Sequence, residues 1–83
     1  MKRIYLKDIR KRQGKSIEDV AYAIEISYNY LLNIENGHQG DQASFILMGK
    51  LANEYQISMD ALYILELEYQ RRKGKIIWLN IIL

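Results

Sequence analysis

Apolar residues recur at three- and four-residue spacing along most of this chain, a pattern typical of amphipathic α-helices. The first such segment covers residues 4–13 and carries its apolar positions on one side, among charged neighbours. Gly14 follows in the position of a C-terminal cap, and Ser16 then has the side chain expected of an N-terminal cap. We therefore predict a first helix over residues 4–13 and a second over residues 16–24.

Three more apolar segments with helical spacing are each preceded by a serine, namely Ser27, Ser44 and Ser58. A serine oxygen accepts a hydrogen bond from the first turn of a helix, so each serine marks a helix start. The three segments end at Asn36, Tyr55 and Lys73. Between the third and fourth helices, residues 38–43 are polar and contain glycine, which is typical of a loop.

The connection between the second and third helices is only two to three residues long. A connection this short forces the two helices to cross steeply, which is the geometry of a helix-turn-helix. Ala21 is small where the helices must touch, and Ile26 supplies an apolar side chain in the turn. The pattern thus predicts an all-α fold of five short helices with a helix-turn-helix and a short apolar C-terminal tail.

The composition limits the functions that this chain can carry. Its 83 residues allow one domain, which we assign to residues 1–70, with residues 71–83 as a basic and then apolar tail. The absence of cysteine excludes disulfides, iron–sulfur clusters and thiolate zinc sites, and a single histidine, His38, leaves no metal cage. No nucleophile–base pair or glycine-rich phosphate loop is present, so we expect no enzyme, cofactor or small-molecule ligand.

Charge is distributed unevenly along the chain. Residues 1–15 hold seven basic residues and one acidic residue, whereas residues 16–70 hold one basic and nine acidic residues. Residues 71–83 add four basic residues and no acidic one. Basic ends of this kind can hold a polyanion such as nucleic acid, or an anionic membrane surface.

The apolar C-terminal run over residues 76–83 is too short to cross a bilayer, which takes about 20 apolar residues. The basic N-terminus is not followed by the apolar stretch of roughly 7–15 residues that a signal peptide requires. We therefore expect a cytoplasmic protein.

A set of positions spread over about residues 4–62 carries a family resemblance: Leu6, Arg10, Gly14, Ser16, Val20, Ala21, Ile24, Ile26, Ser27, Tyr30, Ile34, Glu35, Asn36, Gly37, Ser44, Leu51, Ala52, Ile57, Ser58, Asp60 and Leu62. At these positions the chain resembles the Cro/C1-type helix-turn-helix domains (XRE family) of phage repressors and bacterial regulators. The longer loop over residues 38–43 resembles that of the SinR-type regulators.

This resemblance implies that the third helix enters the major groove of double-stranded DNA with its first residues facing the bases. The residues at the base-reading positions are Tyr28, Asn29, Leu32 and Asn33. An asparagine can bond the N6 and N7 atoms of adenine, and a leucine can contact a thymine methyl group. The helix starts at Ser16, Ser27 and Ser44 are the expected phosphate contacts.

The chain departs from the family pattern in its charge. Ile17 stands where many members have a phosphate-binding glutamine, Glu25 replaces a common turn glycine, and residues 27–43 contain no lysine or arginine. Because phosphate neutralisation supplies much of the affinity for DNA, an isolated domain should bind weakly. The missing charge would have to come from Lys7, Arg10, Lys11, Arg12 and Lys15, provided that these residues face the DNA.

The family resemblance also implies a structural ion pair between Arg10 and Glu35. This pair would join the first helix to the third and hold the scaffold without contacting DNA. Removing one partner of a buried ion pair leaves an uncompensated charge in the interior.

Repressors of this class work as dimers on two half-sites about 34 Å apart, so we expect a homodimer. The fifth helix carries more apolar residues than a five-helix core needs, although these residues can also serve only to cover the core of their own domain. The candidate interface residues are Leu62, Leu65, Tyr69, Ile77, Trp78 and Leu79.

A second function class remains open, namely a protein-interaction module like the RodZ-type helix-turn-helix domain. Residues 16–21 and 30–35 resemble sequence motifs of that domain, and residues 71–78 resemble the junction between such a domain and a membrane helix. Contact with a membrane is expected only in this alternative. The loop and the fourth helix favour a DNA-binding transcriptional regulator, and within that class we expect a repressor.

Overall fold

The computed structural model of the chain describes residues 1–74, and these form five α-helices. The helices are α1 (Ile4–Arg12), α2 (Ile17–Ala23), α3 (Tyr28–Asn36), α4 (Phe45–Glu54) and α5 (Met59–Lys73). The predicted all-α, five-helix fold is therefore confirmed, and α5 continues past the domain boundary expected at residue 70. Within the described residues, no helix is long and apolar enough to cross a bilayer. The predicted interface residues Ile77, Trp78 and Leu79 lie outside the described residues.

Serine caps fix where four of the five helices begin. In each cap the serine Oγ accepts a hydrogen bond of 3.0 Å from the backbone N–H three residues further along. The capping residues are Ser16, Ser27, Ser44 and Ser58. Each cap pairs a first-turn N–H that has no acceptor within its helix, which explains why the sequence located these starts correctly.

The end of α3 depends on Gly37. This residue has φ +83°, and a Cβ there would overlap the carbonyl oxygen of Met1 and lie 2.7 Å from the Tyr69 hydroxyl. The N-terminal segment therefore crosses the end of α3 at a point where only glycine leaves room. The Tyr69 hydroxyl donates a hydrogen bond of 2.9 Å to that Met1 oxygen.

The core lies between all five helices and takes most of the apolar face of each one. Its buried hydrophobic residues are Leu6, Val20, Ala21, Ile24, Leu31, Ile34, Leu47, Leu51, Ala52, Tyr55 and Leu62. Half-buried Ile9, Ile26 and Met48 pack against this cluster. The apolar spacing that predicted the helices thus also predicted most of the core.

The structure corrects two of the expected dimer-interface residues. Leu62 is 1% exposed and Tyr69 is 4% exposed, so both are buried within their own chain. Leu65 is half-buried, and the exposed large apolar residues of α5 are Tyr63 and Ile64 instead. Sequence spacing alone did not separate the core-facing side of α5 from its outer side, because this helix is apolar around most of its circumference.

Arg3 is the most unexpected buried residue, with only 1% of its surface exposed. Its guanidinium donates five hydrogen bonds, two of them to backbone oxygens: Ile34 O at 2.8 Å and Gln39 O at 2.7 Å. The other three go to Asp41 at 2.7 Å and to the two oxygens of Glu66 at 2.8 and 3.0 Å. The cation therefore ties the end of α3, the loop after it and α5 together.

Other side chains complete the partners of this cation. The Arg3 guanidinium carbon lies 4.5 Å from the centre of the Tyr69 ring, and Tyr5 donates a hydrogen bond of 2.6 Å to Glu66. Gln70 and Lys73 both donate to Asp41, at 2.9 and 2.8 Å. We refer to Arg3, Tyr5, Asp41, Glu66, Tyr69, Gln70 and Lys73 as the Arg3 cluster.

The cluster keeps its two carboxyl groups ionised. Desolvation would raise the pKa of Asp41, but hydrogen bonds from Lys73 and Gln70 and the charges of Lys73 and Arg3 outweigh it and lower that pKa to about 2. Desolvation likewise opposes ionisation of Glu66, and hydrogen bonds from Arg3, Tyr5 and Gln70 prevail and lower its pKa. Both carboxylates are therefore negative at neutral pH and balance the buried cation.

Replacing Arg3 with alanine should strongly destabilise the fold. The change leaves Glu66 and two backbone oxygens without their main donor, and we expect the free energy of unfolding to fall by about 3–5 kcal/mol. Urea unfolding followed by circular dichroism measures this loss, with the exposed neighbour Lys2→Ala as the control. An Arg3→Ala protein that unfolds at the same urea concentration as Lys2→Ala would contradict the role given to the cluster.

Candidate nucleic-acid interface

The turn between α2 and α3 holds the two helices in a fixed relation. Ile24 is buried, Ile26 is half-buried against the core, and the Ile26 N–H donates a hydrogen bond of 3.0 Å to the Ala21 oxygen. Ala21 is itself buried, as expected for a small residue at the crossing of two helices. The helix-turn-helix predicted from the short connection is thus present, and the apolar side chains on its inner side are packed into the core.

The outer side of α3 carries the four expected base-reading residues. Tyr28 is 46% exposed and Asn29 is also exposed, both in the first turn of the helix. Leu32 and Asn33, one turn later, are half-buried. The opposite side of α3 is buried through Leu31, Ile34 and Glu35. The helix therefore presents its first turn to solvent while its inner face is fixed in the core.

The expected phosphate contacts lie at three helix starts, and all three serines are exposed. Each Oγ already accepts a backbone N–H, so its own hydroxyl hydrogen is free to be donated to an anion. Ser44 lines a cleft with Ile26 and Tyr30, which places the start of α4 beside the first turn of α3. Ser16 lies at the far end of α2 from that turn.

Arg10 and Glu35 form the expected ion pair. The Arg10 Nε and Nη2 atoms donate to the two Glu35 oxygens at 2.7 and 3.1 Å, and Nη1 donates to the Lys15 oxygen at 3.0 Å. Both residues are buried, so the pair joins α1 to α3 from the inside. The bond to Glu35 raises the pKa of Arg10 above its already high ordinary value, which keeps the pair charged.

Several of the basic residues expected to supply charge for phosphates are engaged within the fold. Arg10 is buried against Glu35, and the Lys15 ammonium donates to the Glu54 backbone oxygen at 2.8 Å and to its carboxylate at 2.9 Å. Lys11 and Arg12 are exposed and Lys7 is half-buried. Arg10 therefore supplies no charge to a nucleic-acid surface, because its guanidinium is enclosed in the ion pair with Glu35 that the family resemblance implies.

Sequence reasoning missed two residues that shape this region, Arg3 and Gln39. Gln39 accepts a hydrogen bond of 3.1 Å at its Oε1 atom from the Asn33 Nδ2 group. Its position in a polar loop gave no sign of this contact, and Arg3 was counted only as one of the seven basic residues of the N-terminal region. The nearest signal was the length of the loop itself, since a longer loop needs an anchor to hold one conformation.

Glu25 occupies a strained backbone conformation in the turn. Its φ is +63°, in the left-handed region that disfavours residues with a Cβ, and its carboxylate lies 3.3 Å from the Lys50 ammonium. Gln56, in the connection between α4 and α5, has a similar φ of +54°. The turn therefore holds a non-glycine residue at the position where the family commonly has glycine.

Replacing Glu25 with glycine should relieve this strain and raise the free energy of unfolding by about 0.5–1 kcal/mol. The matched control is Gln56→Gly, which relieves the same strain away from the turn and should stabilise by a similar amount. Thermal unfolding of both variants and of Glu25→Ala tests the explanation. An alanine variant as stable as the glycine variant would show that backbone strain at residue 25 is not the cause.

Comparison with known proteins identifies the family. A helix-turn-helix family model matches residues 6–62, from the first turn of α1 into α5. No curated protein and no solved structure matched the chain. The family match, together with the closed turn and the outward first turn of α3, shows that this chain belongs to the Cro/C1-type helix-turn-helix family of DNA-binding regulators.

Proposed function

We propose that this protein is a sequence-specific regulator that binds double-stranded DNA with α3 in the major groove and acts as a repressor. The observation that carries the proposal is the arrangement of α3, whose first turn is exposed while Leu31, Ile34 and Glu35 are buried behind it. A rigid helix with exposed polar residues in its first turn is suited to reading base edges.

The proposed base contacts follow from the side chains on that face. Asn29 and Asn33 each offer an amide donor and a carbonyl acceptor, which match N7 and N6 of adenine. Leu32 offers an apolar surface for a thymine methyl group, and the Tyr28 hydroxyl offers a donor to a phosphate or a base. These four residues favour a site rich in A·T pairs.

The proposed phosphate contacts use neutral donors rather than cations. The hydroxyls of Ser16, Ser27 and Ser44 stand at helix starts, where backbone N–H groups and the helix dipole favour an anion. Since residues 27–43 contain no lysine or arginine, few counterions should be released on binding. We therefore expect weak binding per domain with a shallow dependence on salt concentration.

A repressor is the simplest regulatory role for such a domain. Blocking transcription requires only that the protein occupies its site on DNA, whereas activation needs a further surface that recruits the transcription machinery. We place this regulator in the cytoplasm, the compartment in which a DNA-binding repressor of this family meets its site.

We predict that Asn29→Ala weakens binding to the selected DNA site by about 1–3 kcal/mol without lowering the melting temperature. The site is first selected from a pool of random duplexes, and affinity is then measured by fluorescence anisotropy at two salt concentrations. Asn53→Ala, an exposed asparagine on α4, is the matched control and should bind like wild type.

Two outcomes of this experiment would contradict the proposal. Equal affinities of Asn29→Ala and Asn53→Ala for the selected site would remove α3 from the interface. A wild-type protein that binds no duplex at either salt concentration would favour the protein-interaction module instead, for which a helix α3 without cations is no disadvantage.

We further propose that the regulator is a homodimer formed on the α4–α5 face. An open groove of 520 Å³ lies between the loop, α4 and α5, with apolar walls that include Met48, Met59 and the exposed Phe45 and Tyr63. Burying this apolar surface against a second copy would leave α3 free in both subunits. The C-terminal residues Ile77, Trp78 and Leu79 would add to this interface, whereas the half-buried Leu65 lines a separate groove with Ile4 and Tyr5.

We predict that the full chain is a dimer at tens of micromolar and that Tyr63→Lys converts it to a folded monomer, because a charged side chain opposes burial at the interface. Tyr22→Lys, a similar change at an exposed tyrosine of α2, should leave the dimer intact. Light scattering coupled to size-exclusion chromatography measures both. A wild-type chain found as a monomer at this concentration would overturn the proposed dimer.

A further inference from the structure

Gln39 is hydrogen-bonded to Asn33 through both its backbone and its side chain. Its N–H donates a hydrogen bond of 3.3 Å to the Asn33 backbone oxygen, and its Oε1 accepts one of 3.1 Å from the Asn33 Nδ2 group. The His38 N–H donates to the same Asn33 oxygen at 2.9 Å. The chain after α3 thus folds back on Asn33.

The other side of Gln39 is fixed by the buried cation. Its carbonyl oxygen accepts a hydrogen bond of 2.7 Å from Arg3 Nη1. Gly40 follows with φ +100°, and a Cβ there would lie 3.1 Å from the Ile34 side chain and 3.2 Å from Arg3 Nη1. Because the loop packs this closely on α3 and Arg3, the backbone that carries Gln39 has a defined position.

From these contacts we propose that Gln39 is a positioning residue that orients the Asn33 carboxamide for adenine. The inference rests on the proposed function, in which Asn33 reads a base. A free asparagine carboxamide rotates broadly about its last torsion and exposes its oxygen and its nitrogen in either arrangement. The hydrogen bond that Gln39 Oε1 accepts turns one Nδ2 hydrogen of Asn33 toward the loop.

The selected arrangement leaves one Nδ2 hydrogen and the Oδ1 atom of Asn33 for the base. Adenine presents an acceptor at N7 and a donor at N6, which match these two groups. Guanine presents acceptors at both N7 and O6, so the Asn33 oxygen would face another oxygen. Holding the carboxamide in one orientation therefore increases discrimination between adenine and guanine and lowers the entropy lost on binding.

Three variants in one loop separate this role from a general effect on affinity. Gln39→Leu keeps the approximate length of the side chain and removes the acceptor, whereas Gln39→Glu keeps an acceptor for the Asn33 amide and adds a negative charge. Gln42→Leu is the matched control, because Gln42 is an exposed glutamine of the same loop whose side chain makes no hydrogen bond within the described residues.

The base pair that Asn33 contacts is first identified as the one at which Asn33→Ala loses its sequence preference. The experiment then compares dissociation constants for the selected duplex with adenine and with guanine at that position. We expect Gln39→Leu to lower the adenine preference about 3–10-fold, within the range that one base contact supplies. Gln39→Glu should bind both duplexes more weakly but retain the preference, and Gln42→Leu should retain both affinity and preference. Equal preferences in Gln39→Leu and wild type would overturn the inference.

A second measurement on the free protein needs no DNA. In NMR spectra of the wild type and of Gln39→Glu, one side-chain amide hydrogen of Asn33 should exchange with water about threefold or more slowly than in Gln39→Leu. An Asn33 amide unaffected by Gln39→Leu would overturn the inference even where DNA binding is specific. The wild type can also show slowed exchange and yet select no DNA sequence. That result would confirm the hydrogen bond between Asn33 and Gln39 but overturn its role in recognition, together with the proposed function.

Discussion

The buried charge of Arg3 is the constraint on which the arrangement of this domain depends. A cation without solvent must be surrounded by acceptors, and those acceptors come from the end of α3, from the following loop and from α5. No one of these elements provides enough of them alone. The three elements therefore hold their relative positions because any separation would leave a charge or a carbonyl oxygen unpaired in the interior.

Helix α3 is consequently fixed at its start, along its inner face and in its last turn, while the face proposed to meet DNA is left open. Ser27 caps its start, Arg10 holds Glu35 from the inside, and Arg3 donates to the Ile34 oxygen in its last turn. This rigidity uses two of the cations in the basic N-terminal region. The fold thus gains internal order while its surface loses positive charge, and α3, which contains no lysine or arginine, does not replace that charge.

The parts of this structure that followed from the sequence depend on local patterns. Serines before apolar runs located the helix starts, and the family resemblance located the Arg10–Glu35 pair. The Arg3 cluster was not predictable in this way, because Arg3 and Glu66 are separated by 63 residues and neither carries a local sign of the other. The sequence could not decide whether Leu62 and Tyr69 belong to the core or to an interface for a related reason, since α5 is apolar on several sides and only tertiary packing selects the inner one.

The long separation between Arg3 and its partners also determines when this cluster can form during folding. Helices α1 to α3 contain mainly local contacts and can assemble early, whereas the bonds of Arg3 to Glu66 need the last helix. During synthesis, the N-terminal residues before α1 can therefore reach their final positions only after nearly all of the domain has left the ribosome. Contacts that form after the folding transition state slow unfolding more than they speed folding, so a cluster that closes last acts mainly on the lifetime of the native state.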